Sequence, residues 1–396
     1  MNIDSLHRRA ALNGVIAAMV TLGLGLGVMA GVEAVGNGDE PAPVSPSPTP
    51  STEPPPICTP TWEVAQTADP GESSNLLSDV TALSSAEAWA VGGSGDPEAP
   101  LAVLIERWDG TAWTAEEGPN PGSQINELLA VDAAEPNDVW AVGRTASGFG
   151  DRPLVLHYDG SAWLEVVLPE DVTGVLSGVA AIAPDDVWVV GFTGDPVASL
   201  EEALILHWDG QLWAVVDAGR AVGTGKSALL DVEAAAPDDL WVVGYLHNNP
   251  LIAHFDGASW SRSDTGLEGE TNAIAPLVPT DVWAVGAPIQ RFDGTSWVPV
   301  AEVRSEGRLL GVAAVSQSDV WAVGVRAAGE AATKSLVLRF DGRRWTAVLG
   351  PGIPGSDALT GVDALEDGTV LAVGYKDVEP GRRTVSIRGT TCFPEA

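Results

Sequence analysis

Cysteine, histidine and positive charge are all scarce in this chain of 396 residues. There are two Cys and five His. Lys and Arg number 20 against 54 Asp and Glu, a formal net charge of -34. A surface this acidic repels phosphate backbones, so no nucleic-acid partner is expected. Too few Cys and His remain for a thiol-based triad, and no Gly-x-Ser-x-Gly elbow occurs. Charged residues reach only 19%, while Gly (45) and Pro (29) are abundant. That mixture suits many short strands and turns rather than long helices.

One long apolar run stands apart, Gly14 to Val32. At about 1.5 Å per residue it spans roughly 28 Å as a helix, near the thickness of a bilayer core. Arg8 and Arg9 precede it, and Glu33, Asp39 and Glu40 follow. The charge asymmetry leaves residues 1–13 as a cytoplasmic tail, makes 14–35 a transmembrane anchor, and puts the rest outside. The alternative is a signal peptide cleaved after "VMA" or "VEA", with secretion of the remainder. Gly23, Gly27 and Gly31 form a small-residue row on this helix, a candidate dimerisation face. Residues 36–57 are rich in Pro, Ser and Thr with little apolar to bury, which reads as an extended linker.

From residue 58 onward the chain repeats. "DVWAVG" stands at 138–143, 281–286 and 319–324. Relatives follow at 87–92 (EAWAVG), 186–191 (DVWVVG), 239–244 (DLWVVG) and 369–374 (TVLAVG). Before each lies a short apolar segment, with Val80, Val131, Val179, Val232, Ile274, Val312 or Val362 nine residues ahead of the Trp, or of Leu371. After six of them comes Asp-Gly-x-x-Trp, starting at Asp109, Asp159, Asp209, Asp256, Asp293 and Asp341. Asp-Gly between strand-forming runs marks a tight hairpin. Each unit therefore reads as four strands, here called a to d. Seven units of about 48 residues predict an all-β, seven-bladed β-propeller of four-stranded antiparallel blades over 58–396. The seventh unit lacks its d strand, and "CTPTWEVAQ" near the start supplies one. The N-terminal strand should complete the last blade and close the ring.

The repeat resembles exported bacterial propellers of the BNR/Asp-box and kelch-like (galactose oxidase-type) superfamily. It departs from the Asp-box in lacking its Ser and one residue of spacing, and it lacks the kelch double Gly. "RWDG" and "HWDG" carry a Trp-Asp dipeptide without a Gly-His partner. The resemblance therefore implies a fold more than an activity. A copper site of the galactose oxidase kind would need Cys and Tyr, yet closure claims both Cys, and Tyr158, Tyr245 and Tyr375 are the only tyrosines.

Other constellations have plainer readings. "RAVGTGKSALL" (220–230) has Arg220 where a phosphate loop needs Gly. His157, His207 and His254 share one repeat position with Arg107, Arg291 and Arg339, so they diverge around the ring and cannot meet at one metal. Strand a should line the central channel. There Asp79, Asp132, Asp231, Glu233 and Asp363 flank the key apolar position, as hydrogen-bonding groups or as oxygen ligands for Ca²⁺; no other cofactor is expected.

The a–b and c–d turns are short and uniform, whereas b–c and d–a loops vary, "GFTGDPVASLEEA" (191–203) against "GAPIQ" (286–290). Variable loops on a rigid scaffold are where recognition sits. Exposed candidates on that face are Arg144, Phe149, Arg152, Phe192, Tyr245, His247, Arg326, Tyr375 and Arg382. The expected role is non-catalytic binding or scaffolding of an envelope protein or glycan. A glycosidase-like enzyme using the same face, with Arg383 added to its arginines, and a structural surface repeat are the alternatives.

Cys58 precedes the closing strand and Cys392 follows strand c of the last blade, where other blades have a covalent hairpin. A Cys58–Cys392 disulfide is expected in an oxidising compartment, contributing on the order of 5 kcal/mol. Non-reducing peptide mapping should recover one linked peptide pair that separates on reduction. Quantitative thiol labelling of the unreduced chain would refute it.

Overall fold

The computed structural model describes Arg9–Ala10 and residues 61–390, apart from 97–98, 149, 195–200, 266–269, 301–306, 329–331 and 380. The apolar run at 14–35, Gly23, Gly27 and Gly31, the linker 36–57, Cys58, Cys392 and Phe149 lie outside the described residues. Among the described residues no helix is long and apolar enough to cross a membrane.

Seven antiparallel blades are present. Strands a to d are Ser74–Ser84, Glu87–Gly95, Ala102–Trp108 and Trp113–Glu116 in blade 1. Blade 2 has Ile125–Glu135, Asp138–Ala146, Arg152–Tyr158 and Trp163–Glu165; blade 3 has Val175–Ala183, Asp186–Thr193, Glu202–Trp208 and Trp213–Val215. Blade 4 runs Ser227–Ala236, Asp239–Leu246, Asn249–Phe255 and Trp260–Ser263. Blade 5 runs Glu270–Val278, Asp281–Ala287, Gln290–Phe292 and Trp297–Pro299. Blade 6 runs Gly307–Ser316, Asp319–Ala327, Thr333–Phe340 and Trp345–Ala347. Blade 7 takes a, b and c from Asp357–Ala364, Thr369–Val378 and Gly381–Thr390. Its fourth strand is Thr61–Ala65, paired antiparallel from Thr61↔Thr390 to Ala65↔Ser386. The N-terminal strand thus closes the ring, as the incomplete seventh repeat implies. Arg9 and Ala10 lie parallel to Gly361 and Val362; two such pairings contribute little against the entropy of ordering a segment.

The core is divided among the seven blade interfaces, one apolar cluster in each. Strand b explains why. Its alternating side chains go to both neighbours: Val139 and Ala141 pack toward blade 1, Trp140 and Val142 toward blade 3. A strand buried on both faces must be apolar throughout, which is the hexapeptide. The Trp reaches aromatic rings of the next blade, as Trp89 does on Tyr158 (4.8 Å) and Trp163 (5.3 Å). Trp283 does the same on Phe340 and Trp345 at 4.8 and 5.3 Å. Trp321 of blade 6 finds Trp62 edge-on at 5.4 Å, so the N-terminal strand fills the d-strand place in packing as well as in pairing.

The Gly ending each hexapeptide is a packing requirement. Strand a carries a register shift opposite it, as between Leu128 and Ala130, and bulges its backbone toward strand b. A Cβ on Gly143 would stand 1.9 Å from the Glu127 carbonyl oxygen, and one on Gly92, Gly191, Gly244, Gly324 or Gly374 would be as close to its own blade's strand a.

Removing the closing ring should be costly even though Trp62 is only half-buried. Trp62→Ala is expected to lower the unfolding free energy by about 2–3 kcal/mol. A urea midpoint lowered at constant slope would show this; an unchanged midpoint would mean the closing strand does not hold the ring.

Candidate functional site

The two ends of the ring are built differently. At the a–b and c–d end of blades 1 to 6, the first residue of strand b is acidic and reaches a basic residue of strand c. Arg107 meets Glu87, Arg291 meets Asp281 and Arg339 meets Asp319, each at 2.7 Å. His157, His207 and His254 place Nε2 3.4, 2.8 and 3.1 Å from Asp138, Asp186 and Asp239. The imidazoles stack on Trp140, Trp188 and Trp241 with centroids 4.1–4.2 Å away. In these three blades the Trp Nε1 also donates to the same Asp, at 2.6, 2.9 and 3.0 Å. Each histidine is therefore engaged by the Asp and Trp of its own blade. The adjoining Asp-Gly turns are equally self-contained. Asp109 Oδ1 accepts from the amides of Thr111 and Ala112 at 2.8 and 2.9 Å, with Gly110 at φ 93°. The Ser161 and Thr295 hydroxyls, with the equivalent amides, hold Asp159 and Asp293 below the usual carboxylate range, and the amides lead at Asp209, Asp256 and Asp341.

Toward the axis the acids of strand a clasp neighbouring blades. Asp79 accepts from the Val131 amide at 3.0 Å, and Asp132 from Ala181 at 2.8 Å. Asp231 accepts from Ile274 at 2.9 Å, and Asp363 from Ala82 at 2.7 Å. In blades 3 and 5, where no acid does this, a neighbouring position donates instead. Ser177 Oγ reaches the Leu229 carbonyl at 2.6 Å and Asn272 Nδ2 the Leu309 carbonyl at 2.7 Å. Thr360 Oγ1 adds a bond to the Leu77 carbonyl at 2.8 Å beside the Asp363 clasp. Glu233 is buried at the position equivalent to Asp132 and Asp363. Burial, reinforced by Asp132 and Asp79, pushes the Asp363 carboxyl well above its ordinary value despite two backbone bonds. Backbone clasping accounts for four of the five candidate calcium ligands. Among the described residues no group of three or more Asp, Glu, His or Cys is placed to hold a metal.

The b–c and d–a end carries the candidate binding residues, and the structure sorts them. Arg144, Phe192, Tyr245 and Tyr375 occupy one repeat position, directly after the hexapeptide Gly, and Arg326 the next. Two of these are less available than the exposed position implies. Phe192 is 2% exposed, packed with Leu129, Val175, Ala228 and Tyr245. Arg144 is held between Glu127 (2.9 Å) and Asp151 (3.3 Å), a buried ion pair that orders its own blade. Arg152, His247 and Arg326 are exposed. Tyr375 is half-buried under Arg382, whose guanidinium lies 4.2 Å from the ring and 3.2 Å from Asp377. Arg383 turns to backbone carbonyls of Gly71 and Glu72.

Tyr245 has the densest polar surroundings. Its hydroxyl lies 3.5 Å from Glu201, Lys226 stands 6.0 Å from its ring, and burial with Glu201 pushes the phenol up to about 12. Lys226 Nζ also donates to Asn248 Oδ1 at 3.0 Å. His247 and Asn248 form the tip of this b–c hairpin at φ 53° and 68°, conformations L-residues other than Asn rarely adopt. The loop "RAVGTGK" is the d–a connection here, without a helix N-terminus for phosphate. Glu201 and Lys226 escape sequence reasoning, because nothing in the repeat marks which loop residues turn toward Tyr245.

No protein-family description matches the chain, and no curated protein matches it. Solved structures do. One is YCF48 bound to D1 peptide, at 15% identity and TM-score 0.56, over 84% of this chain and 97% of that one. The WD40 repeats of RRP9 match at 10% identity and TM-score 0.56, over 83% and 97%. The WD40 propeller of Doa1 matches at 11% and 0.51, over 83% and 96%. At these identities the likeness establishes the propeller fold, with WD40-like neighbours.

The clasps generate a direct test. Asp363→Ala leaves the buried Ala82 amide without its acceptor and should cost about 1–3 kcal/mol in chemical denaturation. Asp363→Asn, which keeps a carbonyl oxygen, should cost less. Equal losses would show that the backbone bond is not what Asp363 contributes.

Proposed function

We propose that the ring is a non-catalytic recognition or scaffold module that binds a partner protein through its b–c and d–a face. One observation carries this: the ends are asymmetric. The turn end uses its charges and rings on itself. The loop end differs from blade to blade and presents Arg152, His247 and Arg326 exposed around half-buried Tyr245 and Tyr375. A solved propeller of similar fold is described as peptide-bound, which supports a protein over a glycan as the partner. Kinship with BNR- and kelch-type propellers rests on the repeat alone. In this reading 14–35 anchors the chain or directs its export, 36–57 is a spacer, and the partner belongs to the cell envelope.

A hydrolytic role would need two carboxylates flanking a sugar. Glu127 and Asp151 hold Arg144, Asp357 holds Lys334 and Asp377 holds Arg382. Among the described residues, Glu201 is the carboxylate within reach of the Tyr245 hydroxyl.

The immobilised chain, offered solubilised envelope from its source cells, should retain a specific protein. Tyr245→Ala or Arg326→Ala should reduce retention at least several-fold while leaving the fold intact by circular dichroism. Retention unaffected by either variant would overturn the assignment of the face, and sugar released in shortened form would favour hydrolysis.

A further inference from the structure

Position 106 breaks the repeat. Strand c carries Leu156, Leu206, Ala253, Leu338 and Ile387 at the equivalent place, all buried and apolar, and in blade 5 the buried but uncharged Gln290. Blade 1 has Glu106 there, 0% exposed. The charged exception falls at the interface of blade 7 with blade 1, the one interface where strands a to c of the two blades come from opposite ends of the repeat region. Leu77, Val80, Leu104, Trp108 and Trp113 of blade 1 meet Leu371 and Val373 of blade 7 across it.

Glu106 also touches the segment that leads out of the closing strand. Its Oε2 accepts from the Ala68 amide at 3.1 Å, while Oε1 is buried with no partner. Other bonds fasten the same segment on both sides. Trp113 N donates to the Gln66 carbonyl at 3.0 Å, and Arg382 N to Ser73 at 2.8 Å. Asp69 accepts from Thr384 N at 2.8 Å, and Trp113 Nε1 crosses the interface to Ser386 Oγ at 2.9 Å. Glu106 is thus a carboxyl group sealed under the strap that holds the ring shut.

We propose that the interface between blades 7 and 1 is a proton-controlled latch, locked while Glu106 is a neutral carboxylic acid and loosened when it must ionise. An ionised carboxylate there has one oxygen without a partner and no cation within an ion pair. The charged residues on the segments beside it are Asp69 and Glu72 on the strap, Arg382, Arg383 and Arg388 on strand c of blade 7, and Arg107 and Glu116 on strands c and d of blade 1. Arg107 is engaged by Glu87, Arg383 by the strap carbonyls, and Arg388 lies 3.8 Å from Glu63. Asp69 is the neighbour that acts on Glu106, and its negative charge adds to burial in favouring the neutral form.

The direction follows from linkage. Burial raises Glu106 from 4.5 to about 8 in the closed ring. When the strap opens and water enters, the group returns toward its ordinary value. The open state therefore binds fewer protons than the closed state between those limits. Closure is tightest below pH about 4.5, weakens as pH rises toward 8, and then levels off.

Hydrogen exchange of the full-length chain reads this directly. After correction for intrinsic exchange, the opening constant at Ala68, Thr384 and Arg382 should rise about tenfold per pH unit between pH 5 and 8. Amides in the strands of blade 3 should not follow. Glu106→Gln should abolish the slope, as should Glu106→Leu, which installs the residue of positions 156, 206 and 338. Either variant suffices if the other folds poorly. A flat wild-type profile, or a slope that survives in the variants, overturns the latch.

Discussion

Five backbone pairings between Thr61–Ala65 and strand c of blade 7 turn a row of blades into a ring. Everything else presupposes them. A blade buries its apolar faces only against neighbours on both sides, so an open row would leave the outer faces of blades 1 and 7 in water. Covalent hairpins join strands c and d in the other six blades. At the last blade the same junction depends on pairing, on Trp62 seated under Trp321, and on the strap from Gln66 to Ser73. That concentration of hydrogen bonds around one short strand offsets the missing connection.

Polar groups near the axis solve a related difficulty. Strand a is hydrogen-bonded to strand b on one edge only, and its other edge faces the crowded channel. Acids at Asp79, Asp132, Asp231 and Asp363 meet backbone amides of the following blade, and Ser177, Asn272 and Thr360 meet its carbonyls. The positions vary by blade, but in six of the seven the outcome is shared: each bond ties one blade's innermost strand to the next. An excess of carboxylates in a chain of charge -34 is thus partly structural, because a buried carboxylate held by amides is a strong acceptor.

The fold was legible because its constraints are local and repeated seven times. Gly where strand a bulges answers a steric demand in every blade, and Trp in strand b and Gly at positive φ after Asp answer theirs in six of the seven. Even ring closure showed, as a strand missing from one end and present at the other. The binding face was less legible for the opposite reason. Exposure at the position after the hexapeptide depends on what a neighbouring loop does. Phe192 is covered by Tyr245 and Val175, whereas Arg144 is captured by Glu127. Those contacts join residues with no fixed spacing. Glu106 lies between the cases: aligned repeats expose it as the one charged member of a column that is otherwise five apolar residues and Gln290, but only the interface shows what its charge would disturb.

The two ends of the ring therefore evolve under different constraints. At the turn end, one substitution strands a partner: without Asp186, both the Trp188 indole and the His207 imidazole lose their acceptor. At the loop end, Arg152, His247 and Arg326 can change without unpairing anything in the blades. A surface free to vary over a scaffold that cannot is the arrangement recognition requires. It is also why the partner's identity resides in loop residues such as Tyr245 and Glu201, and not in the repeat that built the platform beneath them.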